Sequence, residues 1–350
     1  MIHEICLCNS CTFFLNVVSL SMQVQNISLF LNIPLLVVGF FLLNRGSGML
    51  VDGASSIARK LKMPETMIGF TIVAFGTSLP KIFTIILAAY NGFNDLVFGA
   101  IIGSCIFNFL GILSITGFFR PIRANKYTAG IGFSFLLFAI IILFYLANFS
   151  LFSPPSTTFE ISRKDGFFLI ACFMMFMTYG YFNLKRNHKI WFNEEVKNII
   201  SYAVWFSVVL MLVGILSLIA GGVLVIDNLI DVSRKFDMTQ RFLGQFILSV
   251  GGSAVMLYWI MITKTNETKF ELSNLLGQNM LNILGVLGAA AIIQPITFSA
   301  VFNIDIFILF GITLLLMALL WQGNKRTLNL WKCRFLFVLL YVCCLSSLNK

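Results

Sequence analysis

Two stretches of this chain read as copies of one another: GSGMLVDGASSIARKLKMPETMIGFTIVAFGTS (Gly46–Ser78) and GGVLVIDNLIDVSRKFDMTQRFLGQFILSVGGS (Gly221–Ser253). A shift of 175 residues lays Asp52 on Asp227, Arg59–Lys60 on Arg234–Lys235, Gly69 on Gly244, Gly76 on Gly251 and Ser78 on Ser253. With one deletion the match continues. Gly103, Asn108, Leu110, Gly111, Leu113, Pro121 and Ile122 then meet Gly277, Asn282, Leu284, Gly285, Leu287, Pro295 and Ile296. Two unrelated apolar sequences share Leu and Ile by chance, but not Asp, Arg, Lys, Asn and Pro in register. Self-similarity at a fixed offset is the mark of a duplicated architecture.

The repeat sits in a chain made for lipid. Of 350 residues, 59% are hydrophobic, 38 are Phe and only 11% are charged, where a soluble domain carries about 25% charge. Apolar runs long enough to cross a bilayer recur along the chain. That pattern excludes a soluble enzyme, a disordered chain and an outer-membrane barrel, whose strands are short and alternating. Ten spans are expected, at about 27–50, 66–90, 96–118, 129–147, 166–184, 203–226, 241–263, 272–293, 301–320 and 333–347. Five fall in each copy. Five is odd, so the second copy enters the membrane from the opposite side. The expected fold class is therefore an all-α integral membrane protein with ten transmembrane helices in two inverted-topology five-helix repeats, an arrangement found in many secondary transporters. The expected divisions are a leader or extra segment at 1–26, a first repeat at 27–184, a charged cytoplasmic linker at 185–202 and a second repeat at 203–350.

Charge sets the orientation. With the end before the first span outside, the cytoplasmic loops hold sixteen Lys and Arg and the outer loops five, which places both ends outside. The net charge of +10 reports loop placement and no nucleic-acid partner. The cluster Cys6, Cys8 and Cys11 has only His3 beside it and is a weak metal pattern. The other cysteines lie in apolar runs and read as small hydrophobes. Asn148-Phe-Ser is an N-x-S triplet with nothing to indicate a glycosylating compartment. No nucleotide loop, zinc pattern or catalytic triad is present, and no cofactor is expected. The expected partners are inorganic cations and the bilayer, with the oligomeric state open. The lack of long extramembrane domains favours a bacterial inner membrane.

Two segments of each repeat carry Gly and small polar residues at membrane depth. GFTIVAFGTSLPK (Gly69–Lys81) pairs with GAIIGSCIFNFLG (Gly99–Gly111), and GQFILSVGGSAVM (Gly244–Met256) with SNLLGQNMLNILG (Ser273–Gly285). Gly76 and Pro80 should break a helix locally and free carbonyls. With Thr77, Ser78, Ser104 and Asn108, those carbonyls would suit a cation. Irregular backbone at this depth is tolerated only where it is buried or lines a cavity. Small residues also serve plain helix packing, but symmetric pairs in both halves favour a binding site.

GFTIVAFGTSLPK followed by GSCIFN, with LVDGASSIARKL upstream, resembles the calcium/cation antiporter superfamily, the sodium/calcium exchanger membrane region. The resemblance covers about residues 30–345, closely in the first repeat and loosely in the second. It implies ten helices in inverted repeats, with the second and third helices of each half holding Na⁺ and Ca²⁺ at the midplane. It also implies an antiporter working by alternating access, in which the first and sixth helices slide against the ion-holding bundle. In the family, GTSLPE offers Thr, Ser and Glu, and the following GSN-x-x-[ND] offers Ser and Asn or Asp. Carried over, Thr77, Ser78, Ser104 and Asn108 match in the first half, and Ser253, Asn279 and Asn282 in the second.

The departures are specific. Lys81 stands where the first motif ends in Glu, and Met256 where the second does. Gly252 and Gln278 replace a Thr and a Ser. Ca²⁺ takes six to eight oxygens, usually with carboxylates among them. Two unit charges about 4 Å apart interact by roughly 4 kcal/mol at an effective dielectric of about 20, and a Glu-to-Lys exchange reverses the sign. Lys81 lies well inside the expected span 66–90, where a charge marks function by default. The expected ion-site set is Thr77, Ser78, Lys81, Ser104, Asn108, Ser253, Met256, Asn279 and Asn282, with Na⁺, Ca²⁺ or H⁺ as the transported cation. Two alternatives stand beside an exchanger: a non-transporting homologue serving as membrane scaffold or regulator, and a proton-linked monovalent cation transporter using Lys81.

Overall fold

The computed structural model describes residues 29–61, 74–76, 78–119, 121–124, 128–149, 159–186, 202–253, 268–321 and 327–348. The 1–26 segment with its Cys6–Cys11 cluster, most of the 185–202 linker, Thr77 and Met256 lie outside the described residues. Nearly all the rest is helix. Six described helices are long and apolar enough to cross a membrane: Asn32–Lys60, Asn94–Phe119, Gly130–Asn148, Val204–Phe236, Asn274–Ile293 and Phe302–Trp321.

The chain divides into two compact units, each drawn from both halves of the sequence: residues 1–87 with 198–238, and residues 88–197 with 239–350. In the first unit, α1 (Leu29–Lys60) and α6 (Val204–Phe236) form a long antiparallel pair. The expected spans 27–50 and 203–226 stop ten residues short of the observed helix ends. Asp52, Asp227 and Asp231 therefore lie within helices, and Arg59, Lys60, Arg234 and Lys235 occupy last turns instead of loops. Hydropathy registers only the lipid-facing part of a helix. The polar continuation is held by the helix itself, and basic last turns suit the negative end of its dipole. The pair is tied by Ser217 Oγ donating to the Leu42 carbonyl (2.8 Å) and by Ser56 with Tyr202, whose N–H donates to Ser56 Oγ (2.8 Å). A third element, α2 (Leu79–Tyr90), follows the helical residues Ala74–Gly76.

The second unit holds the remaining helices. They are α3 (Asn94–Phe119), α4 (Phe133–Asn148), α5 (Arg163–Arg186), α7 (from Gln240), α8 (from Thr268 to Ile293), α9 (Phe302–Trp321) and α10 (Leu330–Leu348). α3 is buried along nearly its whole length. It lies backbone to backbone with α7. A Cβ on Gly103 would come within 2.5 Å of Gln245 Cα, and one on Gly244 within 2.6 Å of the Leu96 carbonyl. Ser249 Oγ donates across this contact to the Ala100 carbonyl (3.2 Å).

Two short antiparallel ladders close the ends of the helices. β1 (Ile122–Arg123) pairs with β4 (Thr327–Leu328), and β2 (Glu160–Ile161) with β3 (Ile296–Thr297). β1 and β3 each follow a proline, Pro121 and Pro295, which are matched in the sequence repeat. Each ladder joins a strand of the first half to one of the second. Asn148, the residue of the N-x-S triplet, is engaged by Asn303: each Nδ2 donates to the other's Oδ1, at 2.7 and 2.8 Å.

Candidate functional site

Pro80 has no N–H, so the carbonyl four residues earlier, Gly76, loses its helical donor. The helix does break there. Ser78 N–H turns onto the Phe75 carbonyl (3.0 Å), and the helix restarts at Leu79. The freed Gly76 carbonyl accepts a hydrogen bond from the Ser47 hydroxyl of α1. Ser78 and Lys81 are both buried, at 7% and 6% exposure. The break corrects the placement of Lys81. It is the third residue of the twelve-residue α2, not an interior residue of one continuous 66–90 helix. That first turn carries the positive end of the helix dipole, which favours an anion and disfavours an ammonium. A Glu suits the position electrostatically, and the Lys of this chain opposes it.

In the second unit the structure brings together Ser104, Asn108, Ser253, Asn279 and Asn282. Ser253 Oγ donates to Asn108 Oδ1 (3.3 Å), and Asn108 Nδ2 donates to Asn279 Oδ1 (2.7 Å). Asn279 Nδ2 continues to the Cys105 carbonyl (3.3 Å). Asn282 Nδ2 donates to Ser104 Oγ (3.0 Å), which in turn donates to the Ile101 carbonyl (3.0 Å). All five side chains are buried. Asn108 and Asn282 lie in π-bulges of α3 and α8, at Asn108–Ile112 and Leu281–Val286, with Ser104 and Asn279 just before each bulge. Such bulges are frequent at functional sites because they turn side chains and carbonyls out of the regular ladder. Every member of this chain of bonds is a neutral amide, hydroxyl or carbonyl. Among the described residues, no three His, Cys, Asp or Glu gather into a metal-holding cluster.

Charge is concentrated elsewhere in this unit. Arg241 lies in α7 and forks onto Asp305 of α9: Nε to Oδ2 at 2.9 Å and Nη2 to Oδ1 at 2.7 Å. Gln245 Nε2 adds a third bond to Asp305 Oδ2 (2.7 Å), and the guanidinium lies over the Phe302 ring, 5.5 Å from its centroid. Asp305 is 3% exposed. Sequence reasoning missed this cluster. Its only signal was an Asp in the first turn of an otherwise apolar span. Asp165 is also buried. It accepts from Ser162 N–H (2.9 Å), while its own N–H donates to Ser162 Oγ (3.3 Å), the reciprocal arrangement of a capping box at the start of α5.

Comparison with known proteins places this geometry. The model of the family described as sodium/calcium exchanger protein matches residues 31–182 and again 206–348. CaxA of Alkalimonas amylolytica, which is named as an antiporter, is 30% identical over 299 residues, covering 83% of this chain and 91% of its own. A crystal form of the sodium-calcium exchanger NCX_Mj, soaked with Na⁺ and Ca²⁺, is 25% identical with a TM-score of 0.58, covering 92% of this chain and all of its own. An H⁺/Ca²⁺ exchanger, CAX, shares the fold at a TM-score of 0.73 and 14% identity, over 94% of this chain and 84% of its own. The chain belongs to the sodium/calcium exchanger protein family and is an integral membrane antiporter of the cation-exchanger type, a transporter and not an enzyme.

Proposed function

We propose that this protein exchanges cations by alternating access, using ten helices in two inverted five-helix repeats at 27–184 and 203–350, and that its central site is not built for Ca²⁺. The observation that carries the reading is the bonded set Ser104, Asn108, Ser253, Asn279 and Asn282, which is wholly neutral. The two separate matches of one family model support the duplicated plan. Neutral oxygens on π-bulged helices can replace the hydration of a singly charged ion. A dication needs more oxygens and more negative charge. Lys81 and Met256, at the two glutamate positions, remove that charge. In this reading Lys81 is either a fixed internal cation or a proton carrier. The protein sits in a bacterial inner membrane with both ends outside.

The test is Na⁺-gradient-driven Ca²⁺ uptake into proteoliposomes by the unaltered protein and by K81E/M256E. The expected result is negligible Ca²⁺ uptake by the former and measurable uptake by the latter, with Na⁺ or H⁺ fluxes retained by the former. Ca²⁺ uptake by the unaltered protein overturns the reading. One observation favours a second reading, a non-transporting scaffold: the Asn108–Asn279 bond (2.7 Å) spends amide groups on each other that a transported ion would use. The absence of any cation flux, with uptake restored in K81E/M256E, would select it.

A further inference from the structure

The seam between α1 and α6 is built on small residues at a fixed step. A Cβ on Gly39 would lie 3.1 Å from the Gly221 carbonyl, one on Gly46 2.7 Å from that of Gly214, and one on Gly53 2.7 Å from that of Ser207. The contacts advance by seven residues on one helix and retreat by seven on the other. Extended by one more step of seven, this spacing pairs Asn32 with Asn228. Under the 175-residue shift, Asn32 and Asn228 are the counterparts of Ser207 and Gly53. The two ends of the seam are thus equivalent in the repeat, but one is closed by Gly and Ser and the other carries two amides.

Those amides are poorly served by their own helices. Asn32 is fully buried, and among the described residues neither its Nδ2 nor its Oδ1 has a hydrogen-bond partner. Asn228 is also buried. Its Nδ2 folds back onto the Leu224 carbonyl (2.7 Å), and its Oδ1 has no partner. Unmet buried amides are costly and rare in native proteins. The unmet groups are complementary, a donor and an acceptor on α1 and an acceptor on α6, so an amide pair would satisfy them.

A glycine seam repeating every seven residues does not by itself choose a register. A slip of one step puts Gly39 against Gly214 and Gly46 against Ser207, and close packing survives. The same slip puts Asn32 against Gly221, where its amide meets no side chain. One buried Asn at a seam position specifies register in paired helices in this way. We propose that Asn32 and Asn228 form an amide pair across the α1–α6 seam and are the positioning residues that fix the register of these two helices. The proposal is independent of which ion the protein carries.

The test uses the full-length protein. Heat unfolding in mild detergent is compared for N32L, N228L and N32L/N228L. Each single change leaves one amide against a leucine and should lower the midpoint by about 2–4 °C. The double change should lose no more than one single change does. Additive losses overturn the pairing. Register is read separately, by oxidising L43C/M211C in membranes and identifying the linked peptides. These positions lie one step out of register, since Leu43 packs at Gly221 and Met211 at Gly53. With both asparagines present the link should not form, and in the N32L/N228L background it should appear at least tenfold more. An unchanged yield shows that the glycines alone set the register and overturns the proposal.

Discussion

At the residue scale, Asp305 and Ser47 both hold something that would otherwise be unmet. The Arg241 guanidinium donates two bonds to one carboxylate, and Gln245 fills a further lone pair on it. Breaking a buried pair from one side leaves a bare charge, at a cost of about 3–5 kcal/mol. Asp305→Asn should therefore inactivate far faster on heating in detergent. R241M/D305N, which removes both charges, should recover most of that loss. Ser47 is a smaller case. Its hydroxyl serves the carbonyl that Pro80 orphans, and hydrogen bonds between membrane helices average about 0.6 kcal/mol. Ser47→Ala should cost on the order of 0.5–1.5 kcal/mol, read as a small drop in melting temperature. S47A/P80A, which restores the helical donor, should regain it.

At the element scale, some features were legible in the sequence and others were not. The repeat was legible because polar residues kept their register through an apolar background. The break at Gly76 and Pro80 was legible because the N–H that Pro80 lacks is a local property of the sequence. Helix ends were not, because α1 and α6 run on past the apolar window into Asp, Arg and Lys that also suit a loop. Neither were the π-bulges or the Arg241–Asp305 fork, which depend on partners 64 residues apart. Ser104, Asn108, Ser253, Asn279 and Asn282 are five of the nine residues named from sequence, and the structure places these five together. What escaped was that they bond to one another. The ends of α4 and α9 supply a direct check. Asn148 is locked in a reciprocal amide pair with Asn303. Expressed in a glycosylating host, the protein should show no glycosidase-sensitive mass at Asn148. Asn303→Ala should lower stability by about 1 kcal/mol.

At the scale of the whole molecule, the proposed orientation, with both ends outside, rests on the Lys and Arg distribution. In a bacterial host, alkaline phosphatase fused after Lys350 should be active, and green fluorescent protein at the same place should be dark. The reverse pattern would invert every assignment of inside and outside made from loop charge. The two strand ladders add a constraint of another kind. Each takes one strand from either half of the chain, and Ile161 waits for Ile296. About 135 residues must be translated between them, which takes roughly 7–27 s at about 5–20 residues per second. For that interval the first half sits in the bilayer with an unmatched strand edge at its surface. Biogenesis of this protein is therefore a problem of timing as well as of insertion. A slowed ribosome in the second half should raise the share of nascent chains handed to quality control.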